Sequence, residues 1–141
     1  MTKFTLRLEK DEEVYAAANK PKGCIYCNKE MLFKEFSLWV LLWNKFPYTR
    51  VSVANLMIAP KRHISRMYAL TTNELNQLEH IKVFLEETYG FNQFVENGKG
   101  RQTVPKHYHL HALILKEHES DTLLTPEEVL RRVEEKDTPV S

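Results

Sequence analysis

The chain has 141 residues, a formal net charge of +1 and 43% hydrophobic residues, which suits one domain with a core of its own and is too short for two. A balance that close to neutral argues against a nonspecific binder of nucleic-acid polymers or membrane surfaces, so an anionic ligand has to be held by local groups. The start MTKFTLRLEKDEEVY carries charges throughout and the longest apolar run, LWVLLW, is far too short to cross a bilayer, from which a cytoplasmic protein with no membrane partner is expected.

In chain order, residues 10–18, KDEEVYAAA, hold helix formers over a short span. Cys24 and Cys27 follow in GCIYCNKE and are the only cysteines. A C-x-x-C pair is a redox motif, half of a zinc site, or two unrelated thiols. The preceding AAANKPKG is turn-like, with no strand leading in, which favours zinc over a thioredoxin-like setting; zinc needs two further ligands. Residues 36–43, FSLWVLLW, read as a strand ending in a proline turn, with Trp39 and Trp43 as core residues. A second strand is expected over 53–59, VANLMIA, stopped by Pro60. LTTNELNQLEHIKVFLEETYG then carries a long helix, opened by a capping box from Thr71 to Glu74 and closed by Gly90. FNQFVENG at 91–98 is a short strand running into a glycine-containing loop. Near the end, TPEEVLRRVEEK repeats the capping pattern, with Thr125 as cap and Pro126 in the first turn. Strands with hairpin-like neighbours and one long helix predict an α+β fold with an antiparallel sheet.

Between the loop and the last helix, VPKHYHLHALILK places His107, His109 and His111 at every second residue. In a strand over about 106–115 they share one face, and Tyr108, Leu110, Ala112 and Ile114 the other. The apolar face suits a core, whereas imidazoles need partners or water. A metal cage, a nucleophile with orienting neighbours and an anion binder all use such a row. Just ahead of it, ENGKGRQT offers phosphate donors: the Asn97 amide, backbone N–H groups at Gly98 and Gly100, then Gln102 and Thr103. Without the histidines the same loop would read as a plain turn. His80 in the long helix and His118 after the strand are expected to be solvated.

HYHLHAL at 107–113 resembles the His-φ-His-φ-His-φ-φ signature of the histidine-triad (HIT) superfamily of nucleotide hydrolases and transferases. CIYC is similar to the C-x-x-C of its zinc-containing branch, LLWNKFPYTR and NLMIAPKRHIS to its strand–turn–strand segment ending in Pro-x-x-His, and FVENGKGRQTVPKHYHLH to the Asn-Gly loop before the triad. The resemblance spans about 24–115, within a single domain over 1–141. It implies an antiparallel sheet of about five strands crossed by a long helix, in a homodimer. It also implies a nucleotide phosphohydrolase or nucleotidyltransferase that takes a dinucleoside polyphosphate or nucleoside phosphoramidate. By motif position His109 is then the nucleophile, forming a nucleotidyl-histidine. The departing group needs a proton, and on chemical grounds the neighbouring His111 is expected to supply it near neutral pH, hydrogen-bonding the substrate phosphate or leaving-group oxygen; by motif position Asn44 is a ribose contact where a plain turn residue is the alternative. The implied zinc ligands are Cys24, Cys27, His63 and His107, a closed tetrahedral set that braces rather than performs chemistry. The chain departs from the pattern at Ala54-Asn55, where relatives carry Gly-His, and at LILK, where a proline commonly follows the triad. A zinc-braced nucleotide- or protein-binding module with little turnover is the rival reading.

Overall fold

The structure is a computed structural model, and it describes residues 5–18, 24, 26, 29–98 and 107–137. Helix α1 (Glu9–Ala17) is followed by strands β1 (Leu32–Glu35), β2 (Trp39–Trp43) and β3 (Ser52–Pro60), helix α2 (Thr72–Tyr89), strands β4 (Gln93–Val95) and β5 (Leu110–Leu115), and helix α3 (Pro126–Asp137). The five strands form one sheet in the order β1-β2-β3-β5-β4, and every neighbouring pair is antiparallel. The α+β architecture read from the sequence is therefore the one observed. β1 was not expected; its LFKE is short, lies on the sheet edge and has no clean alternation.

Alternation sorts the sheet into two faces. Leu56 and Ile58 of β3, Leu41 of β2 and Leu110, Ala112 and Ile114 of β5 pack with Leu78, Ile81 and Leu85 of α2 into the main core. Burying each of those aliphatic side chains is worth about 1.5–3 kcal/mol, which is why an amphipathic helix settles on this face. On the other face Val40, Leu42, Met57 and Ala59 gather around Tyr26, and Met57 pairs directly with His111. The histidines thus belong to the face turned away from α2.

The termini of α2 follow the sequence. Thr71 accepts the Glu74 N–H at 3.1 Å, and the Glu74 carboxylate returns a bond to the Thr71 N–H at 2.8 Å. The same carboxylate takes two bonds from Arg62, at 3.0 and 2.7 Å, and the guanidinium holds its pKa down at about 2. Gly90 ends the helix at φ +83, the left-handed conformation that glycine adopts without a Cβ penalty. α3 opens with the second capping box, Thr125 and Glu128 exchanging bonds of 3.1 Å, and it drives Val129 into the core.

Two expectations change. Pro60 does not lie beyond β3 but is its last residue, paired with Trp39; at a strand end its missing N–H breaks no ladder. The histidine strand starts later than position 106. β5 begins at Leu110, so His107 and His109 stand just ahead of its first ladder pair.

Candidate active site

The three imidazoles are not displayed to solvent. His107, His109 and His111 are 2%, 3% and 3% exposed, because Tyr26 folds its ring over the first two, with centroids 5.0 Å from each, and Tyr48 stacks on the third at 4.5 Å. Burial lowers the pKa of all three, that of His111 to about 3. Neutral imidazoles are the form in which a ring nitrogen offers a lone pair.

Each ring has its tautomer set by a bond. The His107 backbone carbonyl accepts from His109 Nδ1 at 3.0 Å, which leaves the lone pair on His109 Nε2, the arrangement a nucleophilic imidazole requires. The Pro60 carbonyl accepts from His107 Nε2 at 2.7 Å, so His107 Nδ1 carries a lone pair. It faces Cys24 Sγ at 2.9 Å.

Around His107 the donor atoms of Cys24, His63 and His107 all lie within 4.8 Å of one another. His63 is exposed, Cys24 half-buried and His107 buried. A thiolate and two imidazoles fit a zinc ion by ligand type; tetrahedral zinc at its usual bond lengths would hold sulfur and nitrogen about 3.5 Å apart, so the 2.9 Å pair would open by about 0.6 Å to take the ion. The fourth expected ligand, Cys27, lies outside the described residues.

His111 sits in a closed network. Asn55 Nδ2 donates to His111 Nδ1 at 3.2 Å, and Tyr48 Oη meets His111 Nε2 at 3.1 Å. Both ring nitrogens are thus occupied within the protein, where a direct bond to a phosphate or leaving group was expected. Asn55 Oδ1 also accepts from Asn44 Nδ2 and from the Tyr48 backbone N–H, each at 3.1 Å. Asn44 Oδ1 takes the Phe46 N–H at 2.9 Å, so Asn44 holds the turn between β2 and β3. In the loop before the triad, Asn97 donates to the Tyr48 hydroxyl at 2.8 Å. A Cβ on Gly98 would meet no atom within 4 Å, so packing gives no reason for glycine there. Gly100, Gln102 and Thr103 lie outside the described residues. His80 and His118 are exposed, as expected.

Three contributors were missed in the sequence. Tyr48 lies within LLWNKFPYTR, where the resemblance assigns it no role. Asn55 was noted only as a departure. Arg7, from the N-terminal segment, bonds the Phe46 carbonyl at 2.8 Å and Glu12 at 3.1 Å, with its guanidinium 4.0 Å from the Tyr15 ring centre and 5.2 Å from that of Tyr48. A charged residue this buried is itself a signal, but only once burial is known.

No family model matches the chain, and no curated protein does either. Solved structures do match. A histidine triad protein from Clostridium difficile is 22% identical, with a TM-score of 0.51, covering 71% of this chain and 96% of its own. A histidine triad nucleotide-binding protein from Candida albicans is 20% identical, with a TM-score of 0.53, covering 81% of this chain and 94% of its own. A uridylyltransferase is 22% identical over 93% of this chain and 50% of its own, with a TM-score of 0.52. At these identities the likeness is one of fold, and the fold is that of the histidine triad proteins.

Proposed function

We propose that the protein is a nucleotide phosphohydrolase or nucleotidyltransferase of the histidine-triad type. Its substrate would be a dinucleoside polyphosphate, a nucleoside phosphoramidate or a similar nucleotide conjugate. The observation that carries the reading is the bond from His109 Nδ1 to the His107 carbonyl. It presents a neutral Nε2 for attack, and the carbonyl offsets charge as the ring becomes cationic. In the step inferred, Nε2 bonds to the α-phosphorus while the bond to the leaving group breaks. The leaving group departs with the electron pair and takes a proton from solvent, to which the attacking acceptor later returns one. Water or another acceptor then attacks phosphorus, and the pair of the phosphorus–nitrogen bond returns to Nε2.

Asn97, the Gly98 N–H, Gly100, Gln102 and Thr103 are assigned to the phosphate. Asn44 keeps one amide hydrogen and one carbonyl lone pair beyond its turn contacts, and these are assigned to a ribose hydroxyl. Cys24, His63 and His107, with Cys27, would hold zinc, which supplies a rigid brace at the start of the triad rather than a reacting centre. A homodimer and a cytoplasmic site of action complete the reading; among the described residues no helix is long and apolar enough to cross a membrane.

One observation favours the binding-module alternative: His109 is only 3% exposed. Incubation with dinucleoside polyphosphates and adenosine phosphoramidates, followed by intact mass, separates the two. A nucleotidyl adduct or turnover that disappears in His109→Ala, with zinc and fold retained, is the expected result. No adduct and no turnover across the panel would leave the binding module.

A further inference from the structure

No sequence motif gives Tyr48 a role, yet its hydroxyl is where the buried network meets, and the protons there can be counted. Asn55 Oδ1 accepts the Tyr48 backbone N–H at 3.1 Å, a group that only donates, so the Asn55 amide nitrogen is the atom facing His111. It donates to His111 Nδ1 at 3.2 Å. A neutral imidazole has one ring proton, and with Nδ1 accepting, that proton is on Nε2. His111 Nε2 therefore donates to Tyr48 Oη at 3.1 Å. Asn97 Nδ2 donates to the same oxygen at 2.8 Å. A phenol oxygen accepts about two hydrogen bonds and has one proton to give. Its acceptor places are filled, and among the described residues no acceptor is paired with the proton.

The hydroxyl is also well placed. Val95 faces His111 across the β4–β5 ladder, and Asn97, two residues further along, carries its amide toward the end of β5 where His109 stands. The His109 and His111 rings are 5.3 Å apart. Tyr48 thus joins the asparagine of the phosphate loop to the histidine beside the nucleophile.

We propose that the Tyr48 hydroxyl is a further catalytic residue, donating its unmatched proton as a hydrogen bond to a non-bridging oxygen of the phosphoryl group that His109 attacks. This rests on the nucleotidyl-histidine reading and adds the donor that stabilises the charge spreading over those oxygens. The proton is shared and not transferred, so the bonds made and broken at phosphorus are those already given. Burial pushes the Tyr48 pKa up, which keeps the hydroxyl protonated. Two donors into the phenol oxygen polarise its O–H and strengthen what it gives. His111, with both nitrogens committed, is a positioning residue that acts through Tyr48.

Tyr48→Phe removes the hydroxyl and keeps the ring on His111. The measurement is the rate of adenylyl-His109 formation in a single turnover, with the rate ratio for the two diastereomers of an α-phosphorothioate substrate. The expected result is a loss of roughly 100-fold in the rate with KM within about threefold, and a narrowed diastereomer ratio, which a merely structural role would not move. A variant within about twofold of the parent rate, with the ratio intact, overturns the assignment of Tyr48 while His109 stands. If Tyr48→Phe fails to fold, 3-fluorotyrosine at 48 keeps every contact and changes only the acidity of the hydroxyl; an unchanged rate then overturns the assignment equally. A parent protein that forms no adduct, or an adduct that persists in His109→Ala, overturns the nucleotidyl-histidine reading and this assignment with it.

Discussion

His107 and His111 stand four residues apart and both are buried, yet their surroundings differ in kind. His107 Nδ1 meets the Cys24 thiol at 2.9 Å with a His63 ring nitrogen close by, so one sulfur and two imidazoles converge on one point. His111 is enclosed by Asn55 and Tyr48, and Asn97 backs the tyrosine, so both ring nitrogens have hydrogen-bond partners within the protein. The first group fits a metal ion by ligand type, whereas a hydrogen-bonded network of buried polar groups is stable as it folds. One end of the row has the ligand types of a metal site, and at the other both ring nitrogens are already paired. His109 between them takes its ring orientation from the His107 carbonyl.

The largest test of that contrast strikes the paired end. Asn55 is 3% exposed, and Asn55→Leu leaves His111, Asn44 and the Tyr48 N–H without their partner. A loss of about 3 kcal/mol is expected from urea unfolding. A loss below about 1 kcal/mol would mean that the network is not closed in solution. At the other end, saturation with zinc at about a hundredfold over Kd should stabilise the protein by about 2.7 kcal/mol relative to the stripped form. Cys24→Ser should erase most of that difference, and a zinc effect that survives the substitution would place the metal elsewhere.

Acid gives the smaller effect, with a definite sign. The folded chain keeps His111 neutral down to about pH 3, while the unfolded chain takes up a proton near the ordinary pKa of about 6.5. Stability is therefore full above about 6.5 and falls as pH drops below it, by about 2 kcal/mol at about pH 5. Urea midpoints at the two pH values measure it. His111→Gln should flatten that part of the profile; an unchanged profile would assign the dependence to another group.

How much of this was legible in the sequence depends on how local each signal is. Caps are local: Thr71 with Glu74, and Gly90 after Tyr89, announce α2 within a few residues of each end. The alternation of His107, His109 and His111 was enough to put them on one face. Their burial was not legible, because it comes from Tyr26 and Tyr48, which approach from other parts of the chain. Nor could the contacts of Tyr48 be read, since its partners Asn55, Asn97 and His111 are brought together only by the pairing of β3, β5 and β4. Asn55 stood out as a departure from a motif, and the reason for it lay 56 residues away at His111.

The central place of β3 has a consequence for how the chain reaches this state. Its pairs with β2 close quickly, since Trp43 and Leu56 are neighbours in sequence by comparison with Ile58 and Leu110. Bringing β5 alongside closes a loop about four times longer, at an extra entropic cost of about 1.2 kcal/mol before any contact repays it. A partly folded chain can thus hold the β2–β3 hairpin, Asn55 included, with no row of imidazoles beside it. During refolding, tryptophan burial at β2 should precede the protection of the β5 backbone N–H groups from hydrogen exchange, and the lag between them times the docking of β5.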